Sequence, residues 1–193
     1  FKKSSKPEFN KFLPINFLLI VSLTQKILKA NHIIYFLTKF LLSCIIKLMN
    51  VFMKEALKEA KKAERKGEVP IGAVIVLNDK IISRGFNNRE ESKCAINHAE
   101  IIAIKKACKK IGDWRLENCE MYVTLEPCLM CLGAILNSRI KAVYFGAKDN
   151  KSCNKEFLTS KNNSLNHNLI FEGGIMEEEC ASLLKEFFRN ARK

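Results

Sequence analysis

The sequence has no apolar run long enough to form a clean membrane-spanning helix. The uncharged stretch at residues 12–25 contains 14 residues, whereas a helix needs about 20 apolar residues to cross the hydrocarbon core. Lysines interrupt every apolar run between residues 26 and 48. A signal peptide would fit the basic, apolar start, but no small-residue cleavage site follows. A basic amphipathic helix on a membrane surface is a further alternative; we expect no stable membrane association.

The sequence also lacks the cysteine pattern of a disulfide scaffold. It contains eight cysteines, but only Cys128 and Cys131 have the close C-x-x-C spacing. A chain of 193 residues can form a hydrophobic core without covalent cross-links. We therefore expect the other six cysteines to be reduced thiols in an intracellular protein, buried as small hydrophobic side chains or incidental.

Acidic residues are scarce relative to basic ones. The chain has 20 Asp and Glu against 33 Lys and Arg, a net charge of +13, which favours a polyanionic partner. Residues 1–48 hold eight lysines and one acid and so contribute +7, which leaves +6 for the rest. This smaller excess is compatible with RNA binding, although a solvated lysine-rich surface explains it equally well. A hydrophobic content of 48% excludes wholesale disorder.

The chain divides into two parts of different character. Residues 1–48 are lysine-rich and show none of the patterns described below, whereas residues 49–193 alternate between helix and strand signals. Met49 stands directly before a predicted helix start. We therefore expect the native protein to begin at Met49, with residues 1–48 as a mis-assigned start or a fragment.

The alternation of elements from residue 49 onward predicts an α/β fold. Asn50 is predicted to cap a first helix that Gly67 ends, and Asn78-Asp79 is predicted to form the turn of a hairpin. Further helices are predicted at 98–111, 128–137 and 176–189, and strands at 71–77, 80–86, 120–125, 141–146 and 169–172. The order αββαβαββα implies a mixed sheet of about five strands between helical layers. Residues 150–168 carry no assignable pattern.

Two short motifs carry the chemistry. His98-Ala99-Glu100 and Pro127-Cys128-Leu129-Met130-Cys131 each open a predicted helix, where the partial positive charge of the helix N-terminus favours a metal-binding thiolate. One imidazole and two thiolates suit zinc and leave a fourth position for water. Glu100 lies two residues past the histidine, from where it can accept a proton from that water and return it to a substrate.

The combination H-x-E…P-C-x-x-C resembles the signature of the zinc-dependent nucleobase deaminases. Residues 124–135, 138–140 and 143–149 are similar to the bacterial tRNA-specific adenosine deaminases in particular, and the resemblance covers residues 50–192. It implies a three-layer α/β/α fold of the cytidine-deaminase type. The segment 151–156 departs from the family pattern, which leaves the shape of the substrate-side loop open.

The resemblance also implies roles for individual residues. His98, Cys128 and Cys131 would bind one Zn²⁺ per chain, and Glu100 would be the catalytic proton shuttle. Asn87 would hydrogen-bond the flipped purine, and Asp149 would lie near the nucleotide in a tRNA anticodon loop. Without the family, Asn87 would be interpreted as a turn residue and Asp149 as a surface acid.

The implied activity is hydrolytic deamination of adenosine to inosine at the wobble position of a tRNA, normally an arginine tRNA, with release of ammonia. The implied protein is a cytoplasmic homodimer. Two alternatives remain: deamination of a free base or nucleotide of the guanine or cytosine type, and a non-catalytic, zinc-stabilised RNA-binding module. Glu100 argues against the second, because a structural zinc site does not need that carboxylate.

Overall fold

The computed structural model describes residues 32–149 and 168–191. The chain divides into two compact units, residues 1–46 and 47–193. The described part of the first unit is helical, and the second contains the sheet. In the two described ranges, no helix combines the length and apolar content required to cross a membrane.

The first helix, α1, extends over His32–Arg65, so the prediction that Asn50 caps it is wrong. Residues 32–49 contain neither glycine nor proline, and the intrahelical hydrogen bonds therefore continue through Asn50. The helix ends as expected before Gly67, whose φ of 75° is the left-handed conformation typical of a helix C-terminus. In the second unit, α1 buries a stripe formed by Phe52, Met53, Ala56, Ala60 and Ala63.

The sheet contains five strands: β1 (Gly72–Leu77), β2 (Lys80–Phe86), β3 (Cys119–Leu125), β4 (Ala142–Ala147) and β5 (Ile170–Gly173). It is mixed, as the sequence predicts, and the strand order is β2-β1-β3-β4-β5. Strand β1 is antiparallel to both β2 and β3, whereas β3, β4 and β5 are parallel. The turn of the β1–β2 hairpin is at Asn78 and Asp79, both with positive φ, as tight hairpin turns require.

Helices cover both faces of the sheet, which confirms the three-layer prediction. The remaining helices are α2 (Ala99–Ile111), α3 (Leu129–Asn137) and α4 (Glu177–Asn190). Alternate strand residues point to opposite faces: Ile75, Met121 and Val143 pack with α2 and α3 in one core cluster. Val74, Val76 and Tyr122 pack with α1 and α4 in the other.

At two glycines a strand approaches a helix so closely that the two backbones are in contact. A Cβ on Gly72 would overlap the Ala56 carbonyl oxygen of α1. A Cβ on Gly85 would overlap the Ala99 carbonyl oxygen in the first turn of α2. Only glycine tolerates such contacts. The second contact fixes the start of α2 against the end of β2.

Candidate metal centre and active site

The strand register brings three connections to one edge of the sheet. Strands β3 and β4 are parallel, so the segments that follow them, at Cys128 and Asp149, leave from the same edge. Gly72 pairs with Phe86 and Ala73 pairs with Val123, so the end of β2 reaches this edge as well. Asn87, which follows β2, therefore lies at the same edge of the sheet as Cys128 and Asp149.

His98 and Cys128 occupy equivalent places, the N-cap positions of α2 and α3. Both have extended backbone conformations, and neither side chain makes a capping hydrogen bond in the described structure. Cys131 lies in the first turn of α3 and is buried. The His98 Nδ1 atom is 3.7 Å from Cys128 Sγ and 3.5 Å from Cys131 Sγ. The two helix starts thus direct three soft or borderline donors to one point.

The three side chains fit a zinc ion by donor type and spacing. Their nearest ligand atoms all lie within 4.8 Å of one another, and in the described ranges this is the only cluster of three or more potential metal ligands. Two sulfurs and one imidazole nitrogen make a donor set typical of zinc sites that keep a position for water. The other cysteines of the described ranges do not join the cluster: Cys94, Cys108, Cys119 and Cys180.

The protonation of the cluster supports metal binding. Hydrogen bonds from the Cys131 thiol and from His98 hold the pKa of Cys128 at about 4, so Cys128 is a thiolate. The same bond to Cys128, together with burial, raises the pKa of Cys131. The hydrogen bond to Cys128 is also the main cause that raises the pKa of His98. A divalent cation bound to both sulfurs would take the place of the proton they share.

Glu100 is a buried carboxyl group beside the sulfur ligands. It is 4% exposed and is the second residue of α2. Burial raises its pKa, whereas its own backbone N–H, the charge of His98 and a hydrogen bond from Cys131 oppose the rise. A carboxyl group whose pKa is raised by burial takes up a proton more readily than an exposed one and can return it. The structure therefore places a buried carboxyl group next to the candidate metal ligands.

Asn87 is a buried side chain with defined partners. It is 6% exposed, and its Nδ2 donates to Glu68 Oε2 over 3.2 Å. Its backbone N–H donates to the Ile71 carbonyl over 2.9 Å. The sequence analysis did not identify Glu68. The feature that could have indicated it is the position of an acidic residue between the end of a helix and the apolar first strand.

Asp149 is half-buried at the start of the connection after β4. Its backbone N–H donates to Glu126 Oε2 over 3.2 Å, and Glu126 is only 6% exposed. Glu126, which sequence reasoning also missed, directly precedes Pro127 and Cys128, and it therefore links the cysteine motif to the segment at Asp149. Segment 151–156 lies outside the described residues.

An α/β/α fold with a His/Cys/Cys cluster and a buried glutamate at the edge of a mixed sheet defines a nucleobase-deaminase-like protein. Comparison with known proteins makes the assignment specific. The chain belongs to the MafB19-like deaminase family, whose model matches residues 49–192. It is 51% identical over 145 residues to the tRNA-specific adenosine deaminase of Bacillus subtilis, a match that covers 74% of this chain and 90% of that one.

Two further relatives agree with this assignment. The tRNA-specific adenosine deaminase of Streptococcus pyogenes serotype M18 is 46% identical over 144 residues, covering 74% of this chain and 91% of that protein. A solved structure from work on A-to-I editing by tRNA:A34 deaminases at the wobble position is 40% identical, with a TM-score of 0.64. That match covers 69% of this chain and 98% of the solved chain. The family resemblance read from the sequence is confirmed.

Proposed function

We propose that this protein is a zinc-dependent tRNA adenosine deaminase that converts the wobble adenosine of an anticodon to inosine and releases ammonia. The observation that carries the proposal is the placement of Glu100 beside His98, Cys128 and Cys131, in a chain that is 51% identical over 145 residues to a tRNA-specific adenosine deaminase. A structural zinc site would not require a buried carboxyl group at that point.

Glu100 is the residue that moves protons in the proposed reaction. Zinc, when bound by His98, Cys128 and Cys131, would supply Lewis acidity that lowers the pKa of water. Glu100 accepts one proton from the attacking water and delivers it to the purine ring. It then accepts the second proton of the same oxygen and delivers it to the departing amino group. The C6–O bond forms, the C6–N bond breaks, and adenine plus water gives hypoxanthine plus ammonia. The buried position of Glu100 keeps these transfers away from bulk water.

Asn87 and Asp149 are the proposed substrate-binding residues. The target base must leave its stack to reach a metal at the sheet edge, and a buried amide at that edge can hydrogen-bond the edge of the flipped purine. Asp149 follows β4 at the same edge and would lie near the nucleotide in the anticodon loop. Both assignments are supported by the strand register, which sends β2 and β4 to the edge where the metal ligands lie.

The remaining features of the proposal concern the whole protein. We place the catalytic domain at residues 49–193, regard residues 1–48 as a non-homologous extension, and expect a cytoplasmic homodimer. An arginine tRNA is the first substrate to test. The family match, which covers residues 49–192, supports the domain bounds.

The proposal is tested by incubating the purified full chain with total tRNA, and separately with an arginine anticodon stem-loop, followed by nucleoside analysis for inosine. We expect one inosine per stem-loop, at the wobble position. The Glu100→Gln protein is the matched control and should form little or none. Free guanine and cytosine are assayed in parallel. Ammonia release from a free base, with no inosine in tRNA, would refute the proposal in favour of the alternative deaminase.

A further inference from the structure

We infer that Glu68 is a positioning residue that fixes the amide of Asn87; the inference rests on the proposed function for the contact between Asn87 and the base. Glu68 lies between the end of α1 and the start of β1, and it is 1% exposed. Burying a carboxylate is costly unless polar partners compensate it. The partners that the structure gives Glu68 both lie in the segment that leads from β2 to His98.

Both carboxylate oxygens of Glu68 accept hydrogen bonds. Oε2 accepts from Asn87 Nδ2 over 3.2 Å, and Oε1 accepts from the backbone N–H of Glu91 over 2.8 Å. An ionised carboxylate only accepts hydrogen bonds, which matches one N–H donor at each of its two oxygens. Glu68 therefore joins the end of β2 to the loop that precedes the metal ligand His98.

The first of these bonds determines the orientation of the Asn87 amide. Because a carboxylate oxygen only accepts, the amide nitrogen must face Glu68 and the carbonyl oxygen must point away from it. The carbonyl oxygen and the second N–H are then the groups that Asn87 can offer to a ligand. A purine edge presents donors and acceptors in a fixed order, so an amide rotated by half a turn would present the wrong group. Glu68 thus contributes to base recognition without contacting the base.

The substitution Glu68→Gln tests this role with little change in volume. Glutamine has one acceptor oxygen and one donor nitrogen, so it can satisfy only one of the two N–H groups that face it. We expect kcat/KM on an anticodon stem-loop to fall by about tenfold to a hundredfold, mainly through KM, as for the loss of a hydrogen bond to a charged group. Zinc content should stay at one ion per chain.

The same substitution elsewhere provides the matched control. Glu59 is a buried glutamate of α1, 4% exposed, and it pairs with Lys62 Nζ over 2.6 Å. Glu59→Gln removes a buried carboxylate of the same size from a different network. We expect it to leave KM unchanged. An equal rise in KM for Glu59→Gln and Glu68→Gln would mean that a general loss of stability causes the effect, and it would overturn the inference.

A double-mutant cycle with Asn87→Ala separates positioning from a purely structural role. If Glu68 acts through Asn87, adding Glu68→Gln to Asn87→Ala should change kcat/KM by less than about twofold, because the two residues act as one unit. If the two effects multiply, Glu68 acts independently of Asn87 and the inference is wrong. A KM for Glu68→Gln equal to that of the unchanged protein would also refute it.

A reciprocal exchange tests the contact without any deaminase assay. Asn87→Asp places a second carboxylate against Glu68 and should lower Tm. Adding Glu68→Gln should restore much of the loss, because the introduced glutamine can donate to the aspartate and still accept from the Glu91 N–H. Failure to restore Tm would overturn the inference, even if Glu68→Gln alone were too unstable to assay. Absence of inosine formation by the unchanged protein would instead count against the proposed function.

Discussion

Replacing Gly85 with alanine should disturb the metal centre from a position in the sheet. A Cβ on Gly85 would lie 2.7 Å from the Ala103 backbone nitrogen and would overlap the Ala99 carbonyl oxygen. Both are backbone atoms in the first half of α2, so neither can rotate away as a side chain could. To reach the 3.4 Å of ordinary contact with Ala103, α2 must move by at least roughly 0.7 Å from β2.

The displacement of α2 has two expected consequences. Overpacking of this kind costs about 1–3 kcal/mol, which corresponds to a decrease in Tm of roughly 2–12 °C for a chain of this size. The same movement shifts His98 and Glu100 relative to Cys128 and Cys131, which lie at the start of α3. Metal sites tolerate distance changes of only about 0.2 Å, and a misplacement of 1 Å can reduce turnover by about a hundredfold.

The measurements are thermal unfolding, zinc content after dialysis against a weak chelator, and deamination rate on an anticodon stem-loop. Gly133→Ala is the matched control. A Cβ at Gly133 would meet no atom of the described structure within 4 Å, and alanine is favoured over glycine inside a helix by roughly 0.5–1 kcal/mol. Its Tm should therefore stay the same or rise. If Gly85→Ala kept the Tm, zinc content and rate of the unchanged protein, the argument that this close approach sets the position of α2 would be refuted.

Three further predictions follow from the site and the fold. Glu100→Gln should lower single-turnover deamination by about 10²–10⁴-fold, the usual value of general acid–base assistance, with zinc content and tRNA affinity nearly unchanged; a rate close to that of the unchanged protein would refute the proton-shuttle role. Metal analysis should find one zinc per chain, and Cys128→Ala should lose both zinc and activity; two ions per chain would contradict the assignment. Removal of residues 1–48 should leave a soluble, active protein, because the buried hydrophobic residues in the described ranges begin at Phe52; an inactive short form beside an active full chain would show that the extension is required.

Local sequence patterns predicted the helices and strands well, because the spacing of apolar residues directly reflects which side chains are buried. The strand bounds differ from the predictions by one residue or less, and the turn at Asn78 and Asp79 is where its residue types place it. The one clear error is Asn50. An asparagine before an apolar helical pattern can act as a cap, but no helix-breaking residue separates it from the apolar sequence upstream, and the helix therefore continues through it.

Sequence spacing could not identify the residues that hold the site in place. Glu68 and Asn87 are 19 positions apart, and Glu126 and Asp149 are 23 positions apart. Neither pair has a periodicity that would single it out. The proposed metal ligands, by contrast, can be identified from sequence because His98, Cys128 and Cys131 occur in short motifs at helix starts, where ligand chemistry imposes both residue type and spacing.

The way in which the site is assembled explains why substitutions outside it should affect the positions of its residues. His98 enters from the loop after β2, Cys128 from the connection after β3, and Asp149 from the connection after β4. The backbone hydrogen bonds of the sheet fix the strands relative to one another. They do not fix the connections that follow the strands, whose positions depend on other contacts. Glu68 ties the first connection to the chain before β1, and Glu126 ties the second connection to the third. Because each glutamate is buried, loss of one hydrogen-bond partner leaves the other without a replacement from bulk water, at a cost of about 1–3 kcal/mol. We therefore expect these two carboxylates to couple the connections that carry the proposed metal ligands and substrate-binding residues. Loss of Glu68 should weaken base recognition with zinc still bound, and loss of Glu126 should displace Asp149 relative to Cys128.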